Sequence, residues 1–277
     1  MNREGVSAMK KKELVIDTFK ILLGVALILP LILATCISFM PKADIMKIPF
    51  ELNLSNATLE NYIHAFKYMN IITYFKNSFI MVGIELPCKA FTALLAAYAF
   101  SHFEFPGKNF LFTLTLTVMM IPGEVIIMSL YKMIMGWNLI DTYAGLTITG
   151  LVDVAAVFML RQNMLSIPKS LYEAAKIDGC GRMKYFFSIL VPLCRTVIAA
   201  YALRGFINIY NSYMWPLLVT TKDEMRTIQT GVAQLSWSSH SGLVLAAAMI
   251  TSIIPLMVYF FGMDSIVEGM TAGAVKN

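Results

Sequence analysis

Charge is scarce in this sequence. Asp, Glu, Lys and Arg make up 14% of its 277 residues, whereas a soluble domain carries about a quarter. Histidine is rarer still. His64, His102 and His240 are scattered, two of them in or beside loops, and no H-E-x-x-H is present. A G-x-S-x-G is also missing. A protease or acyltransferase embedded in a membrane needs clustered acid, base and nucleophile, so these gaps argue against one. The four cysteines, Cys36, Cys88, Cys180 and Cys194, form no C-x-x-C, which argues against a disulfide framework or a metal site. There is no G-x-x-x-x-G-K-[ST] phosphate loop, so ATP hydrolysis is not expected of this chain.

What is present is apolar. Hydrophobic residues make up 58% of the chain, including 20 Met and 18 Phe. Lys and Arg number 22 against 17 Asp and Glu, a net charge of +5. The basic residues sit beside apolar runs, so a positive-inside bias accounts for them and nucleic acid is not expected as a partner. The first run has no small-residue cleavage site and reads as a retained span, not a signal peptide.

About 20 apolar residues cross a bilayer as a helix. Six segments qualify, and they predict an all-α polytopic membrane protein: Ile21–Met40, Asn77–Phe100, Phe110–Tyr131, Tyr143–Leu160, Phe187–Tyr210 and Gly242–Met263. The second holds Glu85 and Lys89, spaced to neutralise each other on one helix face. The third is interrupted by I-P-G-E at residues 121–124. Asp153 falls inside the fourth, and Arg195 and Arg204 inside the fifth. The organisation expected is a tail over 1–20, a membrane domain over 21–263 and a tail over 264–277. Short basic segments fall on one side: Arg3 and Lys10–Lys12, then Arg161 to Lys184, then Lys276. That side, with both termini, is expected to be cytoplasmic.

The polar segment 161–186 stands out between the fourth and fifth spans. Ser170-Leu171-Tyr172-Glu173 has the form of a capping box. Pro168 discourages continuation of the preceding helix. Ala174, Ala175 and Lys176 favour helix, and Gly179 suits the left-handed residue that ends one. A helix of two to three turns is too short to be stable alone, so something must pack on it.

The pattern E-A-A-K-I-D-G, nine residues, then I-L-V-P resembles the EAA signature of ABC importer permeases, carried here by Glu173, Ala174, Ala175, Asp178, Gly179, Ile189 and Pro192, with Val191 in place of the usual leucine. The stretches S-H-F-E-F-P-G-K-N-F (101–110), M-M-I-P-G-E-V (119–125), L-I-D-T-Y-A-G-L-T-I (139–148) and I-Y-N-S-Y-M-W-P-L-L-V (209–219) are similar to the carbohydrate branch, as is the ending V-E-G-M-T-A-G-A-V-K-N. The resemblance implies a type I ABC importer fold, in which segment 161–186 carries the coupling helix that docks on an ATPase subunit. It further implies a second, related permease, an ATPase dimer holding ATP and Mg, and an extracytoplasmic solute-binding protein. No cofactor is implied in this chain itself.

Two stretches are candidates for the solute pathway, since interrupted helices near the midplane commonly line one. The first is I-P-G-E, where Glu124 faces water or a partner, or else makes a structural hydrogen bond at the interface. The second holds Asn208, Tyr210, Asn211 and Tyr213, amides and rings that suit sugars. Trp215 beside them fits an interfacial aromatic belt. Arg204 departs from the family pattern. It either pairs with Asp153 of the fourth span or helps pass an anionic solute such as a sugar acid or a glycerol phosphate. Competing readings are a stand-alone carrier or channel and an ABC permease for peptides or metal ions.

Overall fold

A computed structural model describes residues 3–235 and 237–271, with side chains over 13–235 and 241–262. Among the described residues every regular element is helical: α1 (Arg3–Ser38), α2 (Lys42–Ile45), α3 (Glu60–Tyr68), α4 (Ile71–His102), α5 (Lys108–Val118), α6 (Gly123–Gly136), α7 (Tyr143–Thr147), α8 (Val154–Ser166), α9 (Lys169–Ile177), α10 (Arg182–Tyr185), α11 (Val191–Leu193), α12 (Arg195–Tyr210), α13 (Met214–Val219), α14 (Ile228–Ala233) and α15 (Trp237–Thr271). Lys10–Lys12 and the whole ending V-E-G-M-T-A-G-A-V-K-N, with Lys276, have side chains outside the described residues.

Three of the six expected spans are single helices, and the other three correspond to bent helix pairs. Glu13–Ser38, Ile71–His102 and Ser241–Gly262 are each long and apolar enough to cross a membrane. The other three are helix pairs bent by 93° (α5 and α6), 43° (Tyr143–Gly150 and α8) and 73° (Arg182–Leu193 and α12). The first bend lies where the sequence predicts an interruption. Its size is beyond an ordinary proline kink. The last turn of α5 tightens through bonds such as Met119 N–H to Leu116 O at 3.1 Å, and Pro122, extended at ψ 133°, starts α6 in a new direction.

The expected continuity of the fourth and fifth spans is corrected. In the fourth, Asp153 is not inside a helix. It is the extended cap of α8, and its Oδ1 accepts from Ala156 N–H at 3.1 Å. In the fifth, a π-helical stretch at Phe186–Leu190 precedes Pro192, and the chain turns at Cys194. Proline lacks the N–H that would bond the carbonyl four residues back, and π-turns absorb the mismatch.

The chain clusters into two compact units, 1–69 with 234–252, and 70–233 with 253–277. In the larger unit α4 packs along α8. Ala93 and Ala97, four residues apart and fully buried, let the backbones approach, and Val157, Leu160 and Met164 fill the seam. Small residues at such spacing are how helices pack in a bilayer, where burial from water offers no drive. Glu85 is buried in this unit and pairs with Lys89 at 2.8 Å, as the spacing predicts. In the smaller unit, Asn61 of α3 donates to Ser38 O and Met40 O, both at 2.9 Å. The Ser38 carbonyl closes α1 and the Met40 carbonyl lies just past it, so neither has a partner within the helix.

Candidate functional site

The polar segment after α8 folds as expected in outline and differently in detail. The expected capping box is absent. Pro168, with its φ already set at −58°, stands at the cap position, so α9 begins at Lys169 and Ser170 lies inside its first turn. Proline just before a helix start is preorganised for that role. The far end is as predicted. Gly179 has φ +75°. Cys180 N–H bonds Ala175 O at 2.8 Å and Gly179 N–H bonds Lys176 O at 3.1 Å, the paired bonds of a Schellman ending.

The inner face of α9 is anchored by aromatic rings. Ala175 is buried in the core shared by α4 and α8, with Tyr172 packed against it. The Tyr172 ring meets Tyr185 edge-on at 4.9 Å and His102 at 5.8 Å. The Tyr98 ring lies tilted against Phe186 at 4.8 Å, and its hydroxyl donates to Arg182 O at 3.0 Å. Arg161 covers the Phe112 ring at 4.0 Å and bonds Phe100 O at 3.1 Å. The helix is therefore tied through Tyr172 to the end of α4 and the start of the fifth span, and through Ala175 to the core that α4 and α8 share.

The outer face is open. Glu173, Ala174, Asp178 and Gly179 are exposed, and Ile177 is 86% exposed. Five residues past Tyr172, Ile177 points about 140° round the helix from the anchor. Sequence reasoning passed over it. The available signal was an apolar residue out of phase with Tyr172 and Ala175 on a polar helix. Pro192, at the other end of the motif, is exposed in α11.

The pathway candidates divide. Arg204, Asn208 and Asn211 are exposed at spacings of four and three, so they share one side of α12 and its end. The Asn211 Oδ1 accepts from Gln229 Nε2 at 3.0 Å. Tyr210 does not join them. It is buried and stacks on Phe206 at 5.8 Å. The expected pairing of Arg204 with Asp153 is also corrected. Asp153 instead caps α8 and accepts from the Tyr201 hydroxyl at 3.1 Å, and among the described residues no carboxylate stands within ion-pair distance of Arg204. Glu124 is exposed in the first turn of α6, where the helix dipole favours a carboxylate. Trp215 is half-buried and donates its indole N–H to Leu146 O at 3.0 Å, which ties it to the protein as well as to any interface.

A clasp that the sequence did not suggest holds the segment between α12 and α15. Asp141 accepts from the Thr221 and Lys222 amides at 2.6 and 2.9 Å and from the Thr221 hydroxyl at 2.5 Å. Asp223 accepts from the Tyr74 hydroxyl at 2.5 Å, from Asn70, and from Arg226 at 2.7 Å. Asn77 donates to Glu224 O and Arg226 O, and Ser78 accepts from Ile228 N–H at 2.9 Å. Partial burial pushes both carboxyls up. The hydrogen bonds from Thr221 and Lys222 outweigh it at Asp141, as do those from Tyr74 and Asn70, with the Arg226 charge, at Asp223, so each lies below the usual aspartate range.

Comparison with known proteins places this geometry. Residues 90–268 match the family described as binding-protein-dependent transport system inner membrane component. The chain is 32% identical over 280 aligned positions to the arabinooligosaccharides transport system permease protein of Halalkalibacterium halodurans, covering 97% of this chain and 100% of that protein. It is 32% identical over 266 positions to the sn-glycerol-3-phosphate transport system permease protein of Escherichia coli O1:K1, covering 90% and 93%. Its fold superposes, with a TM-score of 0.78 at 17% identity over 95% of this chain and 98% of the other, on a chain of a bacterial ABC transporter involved in the import of the acidic polysaccharide alginate. With the family match spanning most of the chain and both relatives aligned nearly end to end, this protein belongs to the family of binding-protein-dependent transport system inner membrane components, the permeases of ABC importers.

Proposed function

We propose that this chain is a permease subunit of an ATP-driven importer that carries a sugar or sugar-like solute across the bacterial cytoplasmic membrane. It works beside a second, related permease, two ATPase subunits that hold ATP and Mg, and an extracytoplasmic binding protein. Both termini and α9 lie on the cytoplasmic side, with tails over 1–20 and 264–277 flanking the membrane domain. One observation carries the reading: α9 is anchored by Tyr172 and Ala175 to the ends of several spans while Glu173, Ala174, Ile177 and Asp178 stay exposed. A short helix fixed on one face and open on the other transmits a push. Ile177 fills a cleft in the ATPase and Glu173 meets a cation there, while Gly179 and Pro192 direct the chain back into the fifth span. ATP-driven rocking of the partner then reaches α4 and α12 through the aromatic joint. The relatives named for arabinooligosaccharides and for glycerol phosphate both fit a polyhydroxylated solute.

The test is uptake of radiolabelled arabinooligosaccharide into proteoliposomes holding the assembled complex and its binding protein. ATP-dependent uptake that is lost when the ATPase is omitted supports the reading. Transport by this chain alone overturns it.

A second reading, an anionic solute, rests on Arg204, exposed on the same side of α12 as Asn208 and Asn211 with no described acid beside it. Arg204→Gln then lowers uptake of glycerol phosphate more than that of a neutral sugar, and an equal effect on both removes this reading.

A further inference from the structure

The break in the fourth span is held by a different helix on each side. Before it, the Glu85 carboxylate of α4 lies against Gly150. After it, α12 makes the hold through Asp153, whose two carboxylate oxygens have separate partners. Oδ1 accepts from Ala156 N–H at 3.1 Å and starts α8. Oδ2 accepts from the Tyr201 hydroxyl at 3.1 Å. One side-chain oxygen is enough to cap a helix, so the second is free to join α8 to a residue 48 positions away.

Tyr201 stands where two parts of the larger unit meet. Its ring is buried in the same apolar cluster as Leu160 and Met164 of α8 and Ala175 of α9. Along α12 it begins a stripe. Tyr201, Arg204, Asn208 and Asn211 are spaced by three, four and three, which puts them on one side of the helix and its end. Tyr201 is the buried foot of that stripe, and the other three are exposed. From Asp153, α8 runs the other way, towards α9. It has 13 residues, about 20 Å at 1.5 Å per residue, and only Ile167 and Pro168 separate it from α9.

We propose that Tyr201 is a positioning residue of the transport cycle, a latch that fixes the start of α8 to the foot of the polar side of α12, so that a push on α9 reaches Arg204, Asn208 and Asn211. The inference rests on the reading of α9 as the helix that docks on the ATPase, and it adds a second route beside the aromatic joint. A rod moves only what is fixed to its far end. The 43° bend before α8 would otherwise absorb the motion. A phenol donating to a carboxylate suits this task, because a charge-assisted bond is directional and gains strength where water is partly excluded.

The experiment uses the assembled importer with its binding protein. Tyr201→Phe removes the hydroxyl and keeps the ring in the cluster. Asp153→Ser keeps a residue that caps helices and withdraws the oxygen that faces Tyr201. In proteoliposomes each is expected to lower uptake of radiolabelled arabinooligosaccharide per ATP hydrolysed roughly tenfold, or about 1.4 kcal/mol, close to the contribution of one hydrogen bond to a charged group. The double variant is expected to do no worse than either single one, since both act through one bond. Intact coupling in both single variants, even with a lower melting temperature, overturns the latch, and so do losses that add in the double variant. Absence of ATP-dependent uptake in the wild type counts against the proposed function instead.

A second arm needs no solute. Nitroxide amino acids replace Gln162 of α8 and Arg195 of α12, both exposed. Pulsed electron resonance measures their separation in the resting complex and in one trapped with ATP and vanadate. The wild type is expected to give one narrow distribution in both states, and Tyr201→Phe a broadened one. A wild-type separation that shifts on trapping, or a Tyr201→Phe distribution as narrow as the wild type's, overturns the latch.

Discussion

The carboxylate of Glu85 lies directly against Gly150: a β-carbon on Gly150 would stand 2.2 Å from Glu85 Oε2. Glu85 belongs to α4 and Gly150 to the last turn before the break in the fourth span. Thr92, also on α4, donates to Leu151 O at 3.3 Å beside the same break. The second span thus holds the point at which the fourth one bends. Gly150→Val is expected to displace the Glu85–Lys89 pair and lower the melting temperature of the purified complex. Lys89→Ala leaves a buried carboxylate without its partner, a loss of roughly 3 kcal/mol or more. The double variant Glu85→Gln, Lys89→Ala recovers most of it. Thermal unfolding in detergent measures all three, and equal melting of the two Lys89 variants would count against the pair.

Ile177→Asp and Glu173→Ala are expected to leave the bundle folded, because both side chains are exposed. Ile177→Asp should remove the ATPase from co-purification at least tenfold, and Glu173→Ala should weaken it and uncouple hydrolysis from uptake. Full uptake with both substitutions sinks the docking role of α9.

Gly179→Val forces a β-branched residue to φ +75°, at a cost of about 1–2 kcal/mol. The Schellman bonds at the end of α9 then loosen. Faster hydrogen exchange at the Gly179 and Cys180 amides is the readout, and unchanged protection is the contrary result.

The Tyr185 hydroxyl is buried with no hydrogen-bond partner among the described residues. Its ring, against Tyr172 and His102, is what holds α9. Tyr185→Phe is expected to keep coupling intact and to leave stability unchanged or higher by up to about 1 kcal/mol. Tyr185→Ala removes the joint, and uptake per ATP hydrolysed falls. A drop in coupling with Phe would show that the hydroxyl itself matters.

Asp141 and Asp223 titrate below their ordinary range in the folded protein. A depressed folded value means that the clasp is at full strength above about pH 4, the usual aspartate value, and weakens as pH falls through the folded one. Hydrogen exchange at the amides of residues 221–228 should accelerate on acidification below pH 4. Asp223→Asn should show the faster exchange already at pH 7, and an acid-insensitive clasp would contradict this.

Membrane class, the six apolar runs and the short helix after α8 were legible because they depend on local chemistry. Six apolar runs declare themselves by length, Glu85 and Lys89 meet because they are four apart on one helix, and Gly179 ends α9 because its backbone reaches φ +75° without a Cβ. The capping box failed for a local reason too, since the cap falls on Pro168, two residues before Ser170. The surroundings of Asp153 and Tyr210 were not legible, because contacts from other helices set them. Asp153 met Tyr201, and Tyr210 met Phe206 and Phe79.

The sequence by itself determined that this chain is a helical membrane protein with an exposed motif between its fourth and fifth spans. Only the tertiary structure decided which side of that motif is anchored, that half of the spans are broken, and that Asp141 and Asp223 clasp a distant segment. The physical reason is range. Apolar length, helical spacing and a left-handed glycine act within a few residues of chain, whereas hydrogen bonds such as Tyr201 to Asp153 and Ile228 to Ser78 join residues 48 and 150 positions apart, and no local pattern encodes which of many such pairs will form.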